Sequence, residues 1–109
     1  MKLIDEFWAF IPARSGSKGL KNKNLINLAG LPLLAYSVKT AKKIKKIKKI
    51  VISSDSQKYL DIGKKYGCNE FHLRSKKNSG DKSSELSVFK EFINQQIKNK
   101  KTLPKYFIH

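Results

Sequence analysis

The chain has 109 residues, a size that suits one small domain with a thin core. Its 24 lysines and arginines against 8 aspartates and glutamates give a formal net charge of +16, which would attract nucleic acid, anionic lipid or a phosphorylated ligand, although the scattered, almost all-lysine excess among Ile and Asn reads first as a compositional bias. One cysteine, Cys68, excludes an internal disulfide framework and suits a reducing cytoplasm, no stretch approaches the ~18 apolar residues of a membrane span, and residues 1–9, with Asp5 and Glu6, lack a secretory cleavage pattern.

Residues 7–13 read as a buried strand, apolar and followed at once by a polar loop. Gly30-Leu31-Pro32 is a turn signal with a helix beginning just after it. Leu34, Val38 and Ala41 fall on one face of that helix. A lysine run follows, Lys39, Lys42, Lys43, Lys45, Lys46, Lys48 and Lys49, interrupted by Ile44 and Ile47. It reads as a solvated helix end with two core contacts, the cations suiting the helix dipole; the competing reading is a nucleic-acid or lipid patch. Ile50-Val51-Ile52 is a β-branched run and a second buried strand.

Ser53-Ser54-Asp55-Ser56 supplies N-cap chemistry for a helix through about Tyr66, packed through Tyr59, Ile62, Gly63 and Tyr66 and closed by Gly67. Cys68 reads as a small semi-buried residue rather than a nucleophile. Residues 70–73 form a short strand and 75–84 a polar loop. A long helix starts at Ser84, with Leu86, Phe89, Ile93 and Ile97 at helical spacing. Pro104 breaks it, and Tyr106-Phe107-Ile108 begins a third buried strand. Such alternation predicts an α/β fold, a parallel sheet with helices on both faces. Reaching its last residue in mid-strand, the chain is expected to be the front part of a longer protein.

The chemistry concentrates in the loop after the first strand. Gly16 and Gly19 permit close backbone approach, Ser15 and Ser17 offer hydroxyls, Arg14, Lys18 and Lys23 supply charge, and Asn24 carries an amide able to read a base edge. A loop of this composition at the carboxyl end of a strand suits a polyanion such as a nucleoside triphosphate. Its spacing matches neither common glycine-rich fingerprint. Composition alone also fits a solvated loop.

The run Ile11-Pro12-Ala13-Arg14-Ser15-Gly16-Ser17-Lys18-Gly19, followed by Lys23-Asn24-Leu25, closely resembles the amino-terminal signature of the acylneuraminate cytidylyltransferases. These are the CMP-sialic acid synthetases and their bacterial relatives that activate legionaminic or pseudaminic acid. Gly30-Leu31-Pro32-Leu33-Leu34-Ala35-Tyr36-Ser37, Ile50-Val51-Ile52-Ser53-Ser54-Asp55, Leu73-Arg74 and Ser79-Gly80-Asp81 resemble later landmarks of the family in the right order. The resemblance runs over essentially the whole chain and about the first half of a family member.

It implies a Rossmann-like nucleotidyltransferase fold, incomplete at the carboxyl end, with residues 1–109 as the amino-terminal CTP-binding part. It implies Arg14, Ser17, Lys18 and Lys23 on the triphosphate, with Arg14, Lys18 and Lys23 as the catalytic charges. The Pro12 and Ala13 backbone, Asn24 and Arg74 would hold cytosine and ribose, Ser15, Gly16 and Gly19 would shape the cradle, and Asp81 and Ser84 would border the pocket. Arg74 also reads as a surface ion-pair partner, Asp81 as a helix cap, and Asp55 first of all as a helix cap. Mg²⁺, with ligands downstream of this chain, a sialic-type sugar acid as co-substrate, a cytoplasmic location and homodimers among full-length relatives are implied too. The fragment alone is expected to be inactive. Lys21, Asn22 and Lys82 depart from the family pattern, which leaves the loop path and the roles of Asp81 and Ser84 open. The reading from another class is a small lysine-rich nucleic-acid-binding module.

Overall fold

The computed structural model describes residues 3–16, 22–80 and 84–109, with the backbone alone at Lys23. Strand β1, Leu3–Pro12, leads into the loop and a 3-10 turn at Lys23–Leu25. A minute hairpin follows, β2 Asn27–Leu28 and β3 Leu31–Pro32, then helix α1, Leu33–Lys42. Ala29 and Gly30 turn that hairpin with φ of 52° and 89°, the left-handed pair that a two-residue turn needs. Strand β4, Ile47–Ser54, helix α2, Gln57–Tyr66, strand β5, Glu70–Leu73, helix α3, Glu85–Lys98, and strand β6, Leu103–Ile108, complete the order.

The main sheet runs β5-β4-β1-β6, every neighbouring pair parallel. In chain order its strands sit third, second, first, fourth. This is the first half of the doubly wound arrangement, whose direction reverses between β1 and β6. Alternation along β1 divides the core. Ala9 and Ala13 join Leu34, Val38, Ile50, Ile52, Tyr59 and Leu60 beneath α1 and α2. Trp8 and Phe10 join Val51, Val88, Phe92 and Leu103 beneath α3. The α/β architecture with helices on both faces is as predicted.

Gly63 lets α2 lie close on β4: a Cβ there would stand 2.7 Å from Ile52 Cδ1 and 3.3 Å from Cys68 Sγ. Cys68 is buried beside it, and burial pushes its thiol up to about 12. Three expectations need correction. The lysine run is not a helix end throughout: α1 stops at Lys42, Lys43 caps it, and β4 has begun by Ile47. Ile44 is 42% exposed, so only Ile47 of the two isoleucines packs on the core. On α3, Leu86 and Ile97 are exposed, and Val88, Phe92 and Gln96 are buried instead. The last strand starts at Leu103 rather than Tyr106, after a helix that has already ended at Lys98. Pro104 sits inside β6, whose Tyr106 and Ile108 are exposed.

Candidate functional site

The carboxyl ends of β1, β4 and β5 bring together the residues that follow each strand: Ala13 to Gly16, Asp55, and Arg74. Ala13 N–H donates to Ser53 O at 2.8 Å, and Arg74 N–H to Ser54 O at 2.8 Å, so the sheet ladder itself carries both segments to the same rim. This is where open α/β sheets bind ligands.

Asp55 fastens the loop. Ser15 donates its backbone N–H to one carboxylate oxygen at 2.8 Å and its hydroxyl to the other at 2.7 Å. Burial raises the Asp55 carboxyl, but the two Ser15 donors, its own N–H and the Arg74 charge outweigh it, and the net shift is downward. Asp55 therefore remains ionised at neutral pH. The cap of α2 is Ser56, whose hydroxyl accepts from Tyr59 N–H, so the reading of Asp55 as a helix cap is corrected. The Ser15 hydroxyl in turn points to Asp55 in this arrangement.

The loop closes at Asn22. Its N–H donates to Ser15 O at 2.8 Å, and its side-chain oxygen accepts from Tyr59 Oη at 2.9 Å. Asn22 adopts φ 59°, a left-handed conformation that asparagine tolerates well. The position where the sequence departs from the family pattern is thus the one that turns the chain back. Asn24 follows, its amide donating to Arg14 O at 3.3 Å.

Arg14 lies against Gly16, where a Cβ would stand 3.9 Å from Arg14 Nη1. Arg74 is half-buried, with Nε donating to Ser53 Oγ at 3.1 Å. Burial lowers its pKa, and the neighbouring Arg14 charge lowers it further, against the opposing pull of Asp55, Glu91 and Glu85. The Asp55 carboxylate is thus within electrostatic reach of Arg74, and the two guanidiniums are close enough to feel each other. An anion placed between them relieves that repulsion.

Of the remaining predicted residues, Pro12 is exposed at the end of β1 and Ala13 is buried. Ser84 caps α3, its hydroxyl accepting from Ser87 N–H at 3.0 Å. Ser17, Lys18, Gly19 and Asp81, and the side chain of Lys23, lie outside the described residues. Among the described residues no group of three or more His, Cys, Asp or Glu side chains could hold a metal ion, and no helix is long and apolar enough to cross a membrane.

His72 and Glu91, behind Arg74, were not singled out in the sequence, while Tyr59, read as a packing residue, tethers Asn22, and Ser53, read within the capping string, stands behind Arg74. Ser53 and His72 are opposite one another in the β4–β5 register and are both fully buried, with Ser53 Oγ and His72 Nδ1 2.8 Å apart. His72 Nε2 lies 2.9 Å from Glu91 Oε1. The parallel register was the only sequence signal for this cluster, and it becomes readable only once both strands are placed.

The cytidylyltransferase family model matches residues 8–102. The chain is 41% identical over 85 residues to an N-acylneuraminate cytidylyltransferase of Escherichia coli, covering 78% of this chain and 20% of that relative. It is 36% identical over 97 residues to a CMP-N,N'-diacetyllegionaminic acid synthase of Campylobacter jejuni, covering 89% of this chain and 41% of that relative. The chain thus spans well under half the length of these curated relatives. A solved structure of CMP:2-keto-3-deoxy-manno-octonic acid synthetase complexed with CTP superposes with a TM-score of 0.66 at 17% identity, over 84% of this chain and 36% of that one, which establishes the shared fold. With the family model spanning nearly the whole chain, the protein belongs to the cytidylyltransferase family.

Proposed function

We propose that this chain is the amino-terminal, CTP-binding part of an enzyme that transfers CMP from CTP to a nonulosonic, sialic-type sugar acid, releasing pyrophosphate. The observation that carries the proposal is the convergence of the segments bearing Arg14, Asp55 and Arg74 at the carboxyl ends of β1, β4 and β5, beside a loop closed by Asn22. Relatives named for sialic, pseudaminic and legionaminic acid activation support the substrate class.

In this reading the anomeric hydroxyl of the sugar acid attacks the α-phosphorus, and the bond to the β-phosphate oxygen breaks. Charge neutralisation and positioning dominate such transfers. Arg14, with Lys18 and Lys23 of the same loop, would counter the triphosphate charge, and Arg74 and Asn24 would hold the nucleoside end. Ser15, Gly16, Ser17 and Gly19 would shape the cradle, and Asp81 and Ser84 would border it. Mg²⁺ belongs to the reading as the counter-cation of the triphosphate, and among the described residues no group of three or more His, Cys, Asp or Glu side chains could hold it. Action in the cytoplasm, where CTP is made, and subunit pairing in longer relatives complete the reading.

Isothermal titration with CTP tests it. Binding that weakens at least tenfold in Arg14→Ala supports the assignment. Equal affinity for CTP and for inorganic triphosphate in both proteins would reduce the site to a charged loop.

A further inference from the structure

Behind Arg74 lies a chain of hydrogen bonds whose direction is fixed by its two ends. Arg74 Nε carries a hydrogen and can only donate, so Ser53 Oγ, 3.1 Å away, accepts. The Ser53 hydroxyl hydrogen is then available to His72 Nδ1 at 2.8 Å. At the other end Glu91 is an ionised carboxylate and can only accept, so His72 Nε2, 2.9 Å from it, carries the hydrogen. The one tautomer that satisfies both ends is neutral histidine protonated at Nε2.

Glu91 is itself saturated. Oε1 accepts from His72 Nε2 and from Ser75 N–H at 2.8 Å, and Oε2 from the Ser75 hydroxyl and from Asn78 Nδ2 at 2.7 Å. It therefore grips both the imidazole and the peptide that follows Arg74. Ser53 is 0% exposed and His72 is 0% exposed, which removes water as a substitute partner and excludes a nucleophilic part for the serine.

We propose that Ser53, His72 and Glu91 are positioning residues, a one-directional relay that fixes the Arg74 guanidinium at the nucleotide rim. The function given to Arg74 rests on the CTP reading above; the relay itself does not.

A double-mutant cycle on the 109-residue chain separates the two. CTP affinity is measured for the wild type, Ser53→Ala, Arg74→Ala and the double variant, with thermal melts to confirm folding. The relay predicts a loss of roughly five- to tenfold in Ser53→Ala, the worth of one hydrogen bond, and no further loss when Ser53→Ala is added to Arg74→Ala. Equal losses in both backgrounds overturn it, because a merely structural serine would weaken binding whether or not Arg74 is present. If Ser53→Ala does not fold, Ser53→Cys, which keeps the shape with a weak donor and acceptor, takes its place in the cycle.

If the wild type itself fails to bind CTP, the nucleotide reading falls and the relay is decided by nitrogen NMR. The expected signature is a neutral, Nε2-protonated His72 together with an Arg74 Nε–H that exchanges slowly in the wild type and fast in the Ser53 variant. An Nδ1-protonated His72, or an Arg74 Nε–H indifferent to Ser53, overturns the relay.

Discussion

Glu91→Gln is the perturbation whose size the structure defines best. The carboxylate accepts four hydrogen bonds, from His72, from Ser75 twice and from Asn78, and its side chain is 16% exposed. Burial alone would raise its pKa; the donors at Ser75, Asn78 and His72 outweigh burial and bring it from 4.5 down to about 2. At about 1.36 kcal/mol per unit this shift corresponds to about 3 kcal/mol of stability. Glutamine keeps the shape, but its amide must present hydrogens to groups that are themselves donors. Urea denaturation at pH 7 should therefore show the variant about 2–3 kcal/mol less stable, with Tm lower by roughly 10 °C. The folded carboxyl titrates below the unfolded one. Its stabilisation is thus fully present above about pH 4.5 and fades as the pH falls towards 2. The gap between wild type and variant should close over that window. A gap below about 1 kcal/mol at pH 7, or one that persists unchanged at pH 2, refutes the reasoning.

Asp55→Ala should leave Ser15 N–H without its acceptor and release the loop from the end of β4; hydrogen exchange at that amide should quicken roughly tenfold, and an unchanged rate would show that the tether holds nothing. Gly63→Ala should cost about 1 kcal/mol net in urea unfolding, since crowding against Ile52 exceeds the gain in helix propensity, and Gly63→Val should cost more; a stabilised Gly63→Ala would mean that α2 shifts freely. Cys68 should resist alkylation by iodoacetamide at pH 8 in the folded chain and react once the chain is unfolded in urea, because its buried thiol titrates only near 12; rapid labelling of the native chain would contradict its burial.

What was legible in the sequence was local. Apolar residues 7–13 and the β-branched run 50–52 marked the buried parts of two strands, although β1 starts earlier, at Leu3, and β4 spans Ile47–Ser54, and Gly67, at φ 122°, ends α2 where a glycine was expected. The lysine run was ambiguous because lysine is tolerated at a helix end, in a turn and on an exposed strand face alike, and the structure uses it in all three. On α3 the apolar stripe packs on the core only through its middle, Phe89 and Ile93, and leaves Leu86 and Ile97 exposed, while Gln96 is admitted to the interior because its amide donates to Thr102 O at 3.2 Å. No helical periodicity encodes that bond.

The site divided in the same way. Arg14 and Asn24 stand within one motif, so their nearness to the loop was readable. Asp55 sits in a Ser-Ser-Asp-Ser string where every side chain is a capping candidate, and its partner Ser15 lies 40 residues earlier. His72 and Glu91 have no local motif at all. Only the register of β4 and β5, and the packing of α3 over them, brings them to Ser53.

The most direct test of the central claim is a CTP titration followed by amide NMR on the 109-residue chain. The account predicts that shifts cluster at Arg14, Ser15, Gly16, Asp55 and Arg74, the rim formed by β1, β4 and β5. Shifts confined to residues 42–49, or none at millimolar CTP, would contradict it and assign the charge of this protein to another partner.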